Sequence, residues 1–351
     1  MGSRLSADLA LFAEANDAIG TGHVIETLHV AEAAQRSGVR PVVIVPAEVP
    51  ASILQGAPCP VERIESVRPD DLRACARYIR TSGVRLALTD FRCVTDAQLS
   101  ALSGAGLTTY CIDELGGRRL TCHAVFNPTI LDQRHRYDDG GAGPRVFAGP
   151  AYFPLAPEYA ERHLHQRSFA GAVRSVVVSM GGVDRSGATR RIFDVLDAWP
   201  SSAERHLVLG GAFAWKQDID RRLATALASW RVHRDVSSLA DLFATADVVV
   251  TAGGNTLYEL ACVGTPAIVA HEDPHEAEQG QAFQERGFGF WVGRGADVDG
   301  SALLAALGRL QDPNLRRAHS AVARSIVDGC GATRICAIVQ QDVERDSAVQ
   351  A

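Results

Sequence analysis

Residues 246–269 read ADVVVTAGGNTLYELACVGTPAIV. A short apolar run, DVVVT, stops at the glycine pair 253–254, a helical stretch covers about 255–263, and a second apolar run, PAIVA, follows. Strand, glycine turn, helix and strand in that order make a βαβ unit, the building block of a parallel sheet. Strands as continuously apolar as this one are expected where helices cover both sheet faces.

The same plan extends in both directions. Upstream lie RSVVVSM, a helix over 187–198, RHLVLG, a helix near 217–229, WRVHRDV and a helix over 238–245; downstream lie a helix over 276–286, GFWVG and about 40 residues that read as helical. The first half repeats it: ADLALF, the turn IGTGH, a helix over about 24–37, PVVIV, a helix across DLRACARYIR, RLALT, a short helix near 96–102, and LTTYCI. Between the halves, residues 138–174 collect Gly, Pro, Arg and His, which places a domain boundary near 160–172. The expected fold class is α/β, with two doubly wound, Rossmann-like domains facing across a cleft. Residues 1–165 would form the first and 166–351, with a helical tail, the second.

Composition narrows the function. With 35 basic and 41 acidic residues the formal net charge is −6, which argues against a nucleic-acid or membrane-surface partner, since both require a basic face. No apolar run approaches the roughly 18 residues that span a bilayer. The opening residues carry one positive charge and meet Glu14 and Asp17 too early for a secretory leader, so a cytoplasmic protein is expected. The eight cysteines contain no CxxC pair and read as small buried hydrophobes.

Three glycine turns follow strands and precede helices: Gly20-Thr21-Gly22-His23, Gly181-Gly182-Val183-Asp184 and Gly253-Gly254-Asn255. Glycine lets backbone approach a ligand closely, and a helix N-terminus offers N–H groups and partial positive charge. Three such turns at strand ends point to a ligand bearing a diphosphate. A nicotinamide cofactor is disfavoured, because GTGHVI places Ile25 where GxGxxG needs a third small residue. No P-loop is present, and no cofactor is expected. His271-Glu272-Asp273-Pro274-His275 matches HExxH in letters, but Pro274 breaks the helix that zinc binding would need, so no metal is expected.

The neighbours of these turns carry a resemblance. ALFAEANDAIGTGHVIETLHVAEAAQRSG, IDELGGR, GPAYFPLAPEY, SMGGVD and ADVVVTAGGNTLYELACVGTPAIV, together covering about residues 8–295, resemble the nucleotide-sugar hydrolases of pseudaminic acid biosynthesis. Those enzymes release UDP from a diacetamido-trideoxy sugar. The AGGxTxxE pattern is shared with the wider GT-B glycosyltransferases, so the resemblance implies a GT-B architecture. It also implies roles. Gly181, Gly182, Gly253 and Gly254 would offer N–H groups to a diphosphate, by resemblance that of a UDP-sugar; Glu259 would accept from the ribose hydroxyls. Asn255 would cap its helix or touch phosphate, and Asp184 would orient its turn. Glu278 and Gln279 stand where the family carries an Asn-Gln pair. Gly20 and Gly22 would bring His23 to the sugar as the base that activates water, with Asp90 and Asp113, and beside them Glu114, as strand-end carboxylates that orient it or accept sugar hydroxyls. Because His23 opens a helix, the positive end of the macrodipole should keep its ring neutral near pH 7.

Three departures fall in the first half. The family's Arg three residues after the histidine is Glu26, its Arg-Ala-Asp is Phe12-Ala13-Glu14, and its Asp-His-Tyr-Gly is Asp90-Phe91-Arg92-Cys93. The sugar is therefore expected to differ, and the reaction stays open. Two reactions suit these residues. One is metal-independent hydrolysis of a nucleotide sugar; the other is transfer of the sugar to a small-molecule acceptor.

Overall fold

The computed structural model describes residues 7–16, 20–132, 137, 143–234 and 236–349, with side chains to Asp342. Asp17 and most of the glycine-rich start of the expected linker, 138–142, lie outside the described residues. The chain divides into two compact units, residues 1–157 with 330–351, and residues 158–329.

In the first unit the order is β1 (Leu9–Ala13), α1 (Gly22–Arg36), β2 (Pro41–Pro46), β3 (Val61–Ile64), α2 (Pro69–Thr81), β4 (Leu86–Asp90), α3 (Asp96–Ser103), β5 (Thr108–Ile112), β6 (Ala124–Asn127) and β7 (Arg145–Ala148). The strands form one parallel sheet in the order β3-β2-β1-β4-β5-β6-β7. Side chains of β1, β2 and β4 alternate between two buried clusters, one on each sheet face. Leu9, Leu11, Val43 and Leu88 join one, and Ala10, Phe12, Val42 and Ala87 the other. That two-sided burial is why these strands read as unbroken apolar runs.

The second unit runs α4 (Pro157–His163), β8 (Ser175–Ser179), α5 (Ala188–Asp197), β9 (Glu204–Leu209), α6 (Lys216–Ala224), β10 (Trp230–Arg234), α7 (Ala240–Thr245), β11 (Val248–Thr251), α8 (Asn255–Val263), β12 (Ala267–His271), α9 (Pro274–Glu285), β13 (Phe290–Arg294), α10 (Gly300–Arg309) and α11 (Pro313–Ile326). Its sheet is also parallel, in the order β10-β9-β8-β11-β12-β13.

Both sheets reverse their winding once, between β1 and β4 and between β8 and β11. At such a switch point the loops beyond the strands' carboxyl ends diverge, and ligands of open α/β sheets bind there. The glycine turns stand at these two places: Gly20 to His23 follow β1, Gly181 and Gly182 follow β8, and Gly253 and Gly254 follow β11.

Two expectations about organisation change. The division falls at Pro157, ahead of the stretch 160–172. The C-terminal tail leaves the second unit: helix α12 (Gly331–Val349) packs on the first, where Ile335, Cys336 and Val339 join the cluster that holds Val30 and Ala34 of α1. Asp342 fastens it further, accepting from the Tyr110 hydroxyl at 2.7 Å and pairing with His123 at 3.1 Å and Arg145 at 3.3 Å. Strands β3, β6 and β7 carry little signal in the sequence. The first and last are partly exposed edges with charged residues, and the middle one has only four residues. Among the described residues no helix is long and apolar enough to cross a membrane.

Candidate functional site

In the first unit, Gly20 takes φ +77° and its N–H bonds the Asn16 carbonyl at 2.8 Å, closing the turn that delivers Gly22 and His23 to the start of α1. His23 is 6% exposed, and its Nδ1 lies 2.8 Å from Oδ1 of Asp90, the last residue of β4, itself 1% exposed. The Thr27 hydroxyl, one turn along α1, donates to Asp90 Oδ2 at 3.4 Å. Because Nδ1 faces a carboxylate it carries the proton in the neutral ring, and Nε2 keeps the lone pair. Around this pair stand buried Glu26 and Glu114; Glu114 is paired with Arg92 at 3.6 Å, and the Arg92 N–H donates to Glu14 at 2.8 Å.

The charge of this group overturns the expectation of a neutral ring. Burial alone would lower the proton affinity of His23, but Asp90, Glu114 and Glu26 more than offset it and raise its pKa to about 10. A full carboxylate charge at hydrogen-bond distance outweighs the half-charge of a helix terminus. Burial in turn pushes the Asp90 carboxyl up, against the pull of the imidazolium. Possible metal-ligating atoms of His23, Glu26 and Asp90 lie within 4.8 Å of one another, the only such set of three among the described residues, and two of them share the 2.8 Å His23–Asp90 bond.

Asp113 is engaged with other partners. Its buried carboxylate accepts from the N–H groups of Leu115 and Gly116 at 3.3 and 3.2 Å and pairs with Arg118 at 2.5 Å. It therefore shapes the turn DELGGR, and Glu114 is the neighbour whose charge acts on His23.

In the second unit, Gly181 (φ +82°) and Gly182 are exposed, and a Cβ on either would meet nothing within 4 Å. Space lies open above this backbone. Gly253 differs, since a Cβ there would come within 2.3 Å of the Glu276 carbonyl oxygen. It is glycine so that α8 can lie against the first turn of α9. At Gly254 the nearest atom is Glu276 Oε1, at 3.1 Å. Gly254, not Asn255, occupies the N-cap position of α8 and has no side chain to cap it; Asn255 is the helix's first residue.

Asp184 holds its turn. It adopts φ +47°, and its carboxylate accepts from the N–H groups of Ala188 and Thr189, both at 2.9 Å, at the start of α5. Glu272 leans on it through a hydrogen bond, and burial followed by that contact raises the Glu272 pKa. Replacing Asp184 with Ala should remove the carboxylate that accepts from both N–H groups of this helix start and lower stability by about 1–2 kcal/mol, measured as a fall in urea midpoint at unchanged slope. An unchanged midpoint would show that the cap contributes nothing.

Glu259 sits half-buried in the second turn of α8. Its carboxyl is raised to about 7 by burial, against a hydrogen bond from the Tyr159 hydroxyl and with Glu158 adding to the rise. The pair 278–279 splits. Glu278 is exposed, whereas Gln279 is buried, donating from Nε2 to the Gly253 carbonyl at 3.2 Å and accepting from the Tyr258 hydroxyl. Gln279 thus steadies the glycine turn from behind. The HExxH letters fall on a strand end and a helix start, as Pro274 implied: Asp273 caps α9, and His271 accepts from Trp291 Nε1 at 3.0 Å.

Sequence reasoning alone does not single out Tyr159, Tyr258 or Glu276. Tyr159 is visible only as the last letter of GPAYFPLAPEY, and the other two carry no local signal.

No protein-family model matches the chain. Over 227 residues it is 26% identical to the spore coat polysaccharide biosynthesis protein SpsG of Bacillus subtilis (strain 168), covering 64% of this chain and 66% of that protein. Over 150 residues it is 22% identical to the uncharacterized protein MJ1062 of Methanocaldococcus jannaschii, covering 42% of this chain and 31% of that one. The match thus spans just under two thirds of the first relative and under a third of the second. Among solved structures it resembles MurG of Acinetobacter baumannii (TM-score 0.68, 14% identity, 95% of this chain and 99% of that one). It also resembles the calicheamicin glycosyltransferase CalG4 (0.65, 13%, 97% and 99%) and the spinosyn rhamnosyltransferase SpnG complexed with thymidine diphosphate (0.64, 14%, 95% and 99%). At these identities the likeness establishes the fold, and the fold is the expected one: two parallel-sheet α/β units of the GT-B kind.

Proposed function

We propose that this protein is an enzyme that hydrolyses a nucleotide sugar, releasing a nucleoside diphosphate. The observation that carries the reading is the buried 2.8 Å bond between His23 and Asp90 at the switch point of the first sheet. It leaves Nε2 as the atom that takes a proton from water. The water oxygen bonds to the anomeric carbon as the bond from that carbon to the diphosphate oxygen breaks, and the electron pair departs with the nucleoside diphosphate. Asp90 holds Nδ1–H and stabilises the imidazolium that forms.

The open backbone of Gly181 and Gly182 and the first-turn N–H groups of α8 at Gly254 and Asn255 suit the leaving diphosphate, and the Glu259 carboxylate suits the ribose hydroxyls. Uridine is the base that the sequence resemblance implies. Glu26, Glu14 and the Phe91-Arg92-Cys93 stretch set the sugar apart from the diacetamido sugar of the resembled hydrolases.

Transfer is the second reading, favoured by the glycosyltransferase names of the solved structures that share the fold. An acceptor hydroxyl would then stand in place of water at Nε2. Incubation with UDP-, TDP-, CDP- and GDP-sugars, with and without alcohol acceptors, separates them. Diphosphate release without acceptor is expected. Release only with acceptor makes the protein a transferase, and none with any donor removes both readings.

The pH profile follows from the charge of the pair. A base whose pKa is raised to about 10 is mostly imidazolium at neutral pH, so its active neutral form grows as pH rises. kcat/KM should climb about tenfold per pH unit from 7 to 9, before levelling toward 10. A flat profile over that range would take proton abstraction away from His23.

A further inference from the structure

The turn that follows β8 is held in a conformation its residues do not favour alone. Among the described residues Asp184 is the only non-glycine with a positive φ, and a side chain is strained there. Its neighbours keep it in place. Besides the bonds of its carboxylate to the start of α5, its carbonyl accepts the indole N–H of Trp215 at 2.8 Å and the Gly187 N–H at 3.4 Å. On the other flank the Ser186 hydroxyl donates to Glu272 at 3.0 Å. Trp215 is itself locked. The N–H groups of Asp218 and Ile219, in the first turn of α6, bond its carbonyl, both at 3.1 Å. The Arg190 guanidinium carbon stands 3.8 Å from the centroid of its ring, and Arg190 pairs with Asp218 at 2.8 Å. With a cation on its face and a carbonyl at its edge, the indole has one orientation. The adjacent strand fixes the middle of the turn. A Cβ on Gly210, just past β9, would stand 2.5 Å from the Gly182 carbonyl oxygen. That carbonyl therefore lies against Gly210, and in a planar trans peptide the Val183 N–H points the opposite way.

We infer that Trp215 is a positioning residue for the diphosphate: its indole N–H, bonded to the Asp184 carbonyl, keeps the turn 181–184 in the open form that offers backbone N–H groups to the anion. The inference rests on the reading of Gly181 and Gly182 as the diphosphate turn. Strain of this kind persists only where the surroundings over-determine it, and the Trp215 bond is the shortest one that the Asp184 carbonyl makes. Without it the turn spends part of its time in other conformations, and apparent affinity falls with the fraction that remains competent. Only ligand groups that touch the turn feel this. Loss of the indole N–H therefore separates a nucleoside diphosphate from its parent nucleoside, which carries no phosphate.

The test is calorimetry on the full chain with whichever of UDP, CDP and GDP binds best and, by competition, with its parent nucleoside. Trp215→Phe keeps an aromatic ring beneath Arg190 and removes the N–H. It should weaken the diphosphate about 3–10-fold, the range for one neutral hydrogen bond, and leave nucleoside affinity unchanged. Trp215→3-benzothienylalanine, which replaces the indole N–H by sulfur in a ring of nearly the same shape, should give the same split; it also decides the matter should the Phe variant fail to fold. A benzothienyl protein that binds the diphosphate as tightly as wild type overturns the inference alone. So does a loss shared equally by diphosphate and nucleoside, since that would be a general effect of the ring on the unit. If wild type binds the diphosphate no more tightly than the nucleoside, the reading of the diphosphate turn falls and this one with it.

Discussion

His23→Asn should fold, bind nucleoside diphosphate as wild type does, and turn over nucleotide sugar about 10²–10⁴-fold more slowly, the usual share of a general base. Asparagine can still donate an amide N–H toward Asp90, so the buried carboxylate keeps a hydrogen-bond donor. That matters, because removing one partner of a buried charge pair outright costs about 3–5 kcal/mol. The loss should lie in kcat with little change in diphosphate affinity, and the rise of kcat/KM with pH should disappear. Both features hold whether the proton comes from water or from an acceptor alcohol. Turnover within about threefold of wild type would place the base elsewhere. Asp90 is then the next candidate, since Asp113 is held by Arg118 and two backbone N–H groups.

Glu259→Ala carries the second large effect, on binding. Loss of one or two charge-assisted hydrogen bonds to ribose should weaken UDP by about 1.5–3 kcal/mol, roughly 10- to 150-fold, with kcat at saturating donor little changed. The pH dependence gives it a signature. With its carboxyl raised to about 7 by burial, Glu259 is substantially protonated at pH 6 and mostly ionised at pH 8. A carboxylate accepts from both ribose hydroxyls, whereas the protonated acid has one acceptor oxygen fewer, so wild-type affinity should rise over this range. The Ala variant should lose that rise. Equal affinity in wild type and variant would end the assignment of Glu259 to ribose.

The two predictions draw on different parts of the molecule, and the sequence makes them legible to different degrees. GTGH marks His23 as a residue at a strand end, and AGGNTLYE places Glu259 one turn into a helix; both signals are local. Neither says what surrounds the side chain. Helix position alone predicts a neutral His23, because two of the three carboxylates that hold its proton, and the stronger ones, come from elsewhere. Asp90 is 67 residues away, and Glu114 lies beyond the next strand.

What the sequence determined by itself was the alternation of apolar runs, glycine turns and helices, and hence two doubly wound parallel sheets with their loops at strand ends. Periodicity and glycine signals act over a few residues, so they survive without knowledge of the rest of the chain. Tertiary structure alone decided the partners. It gave Asp113 to Arg118 and Asp90 to His23, although both are strand-end carboxylates. It turned Gln279 onto the Gly253 carbonyl and left Glu278 in solvent, and it set Tyr159 against a carboxylate a hundred residues on. It also carried α12 back to the first unit. The reason is the same each time: an amphipathic helix or a carboxylate encodes the need for a partner, and only the packed chain brings one within reach.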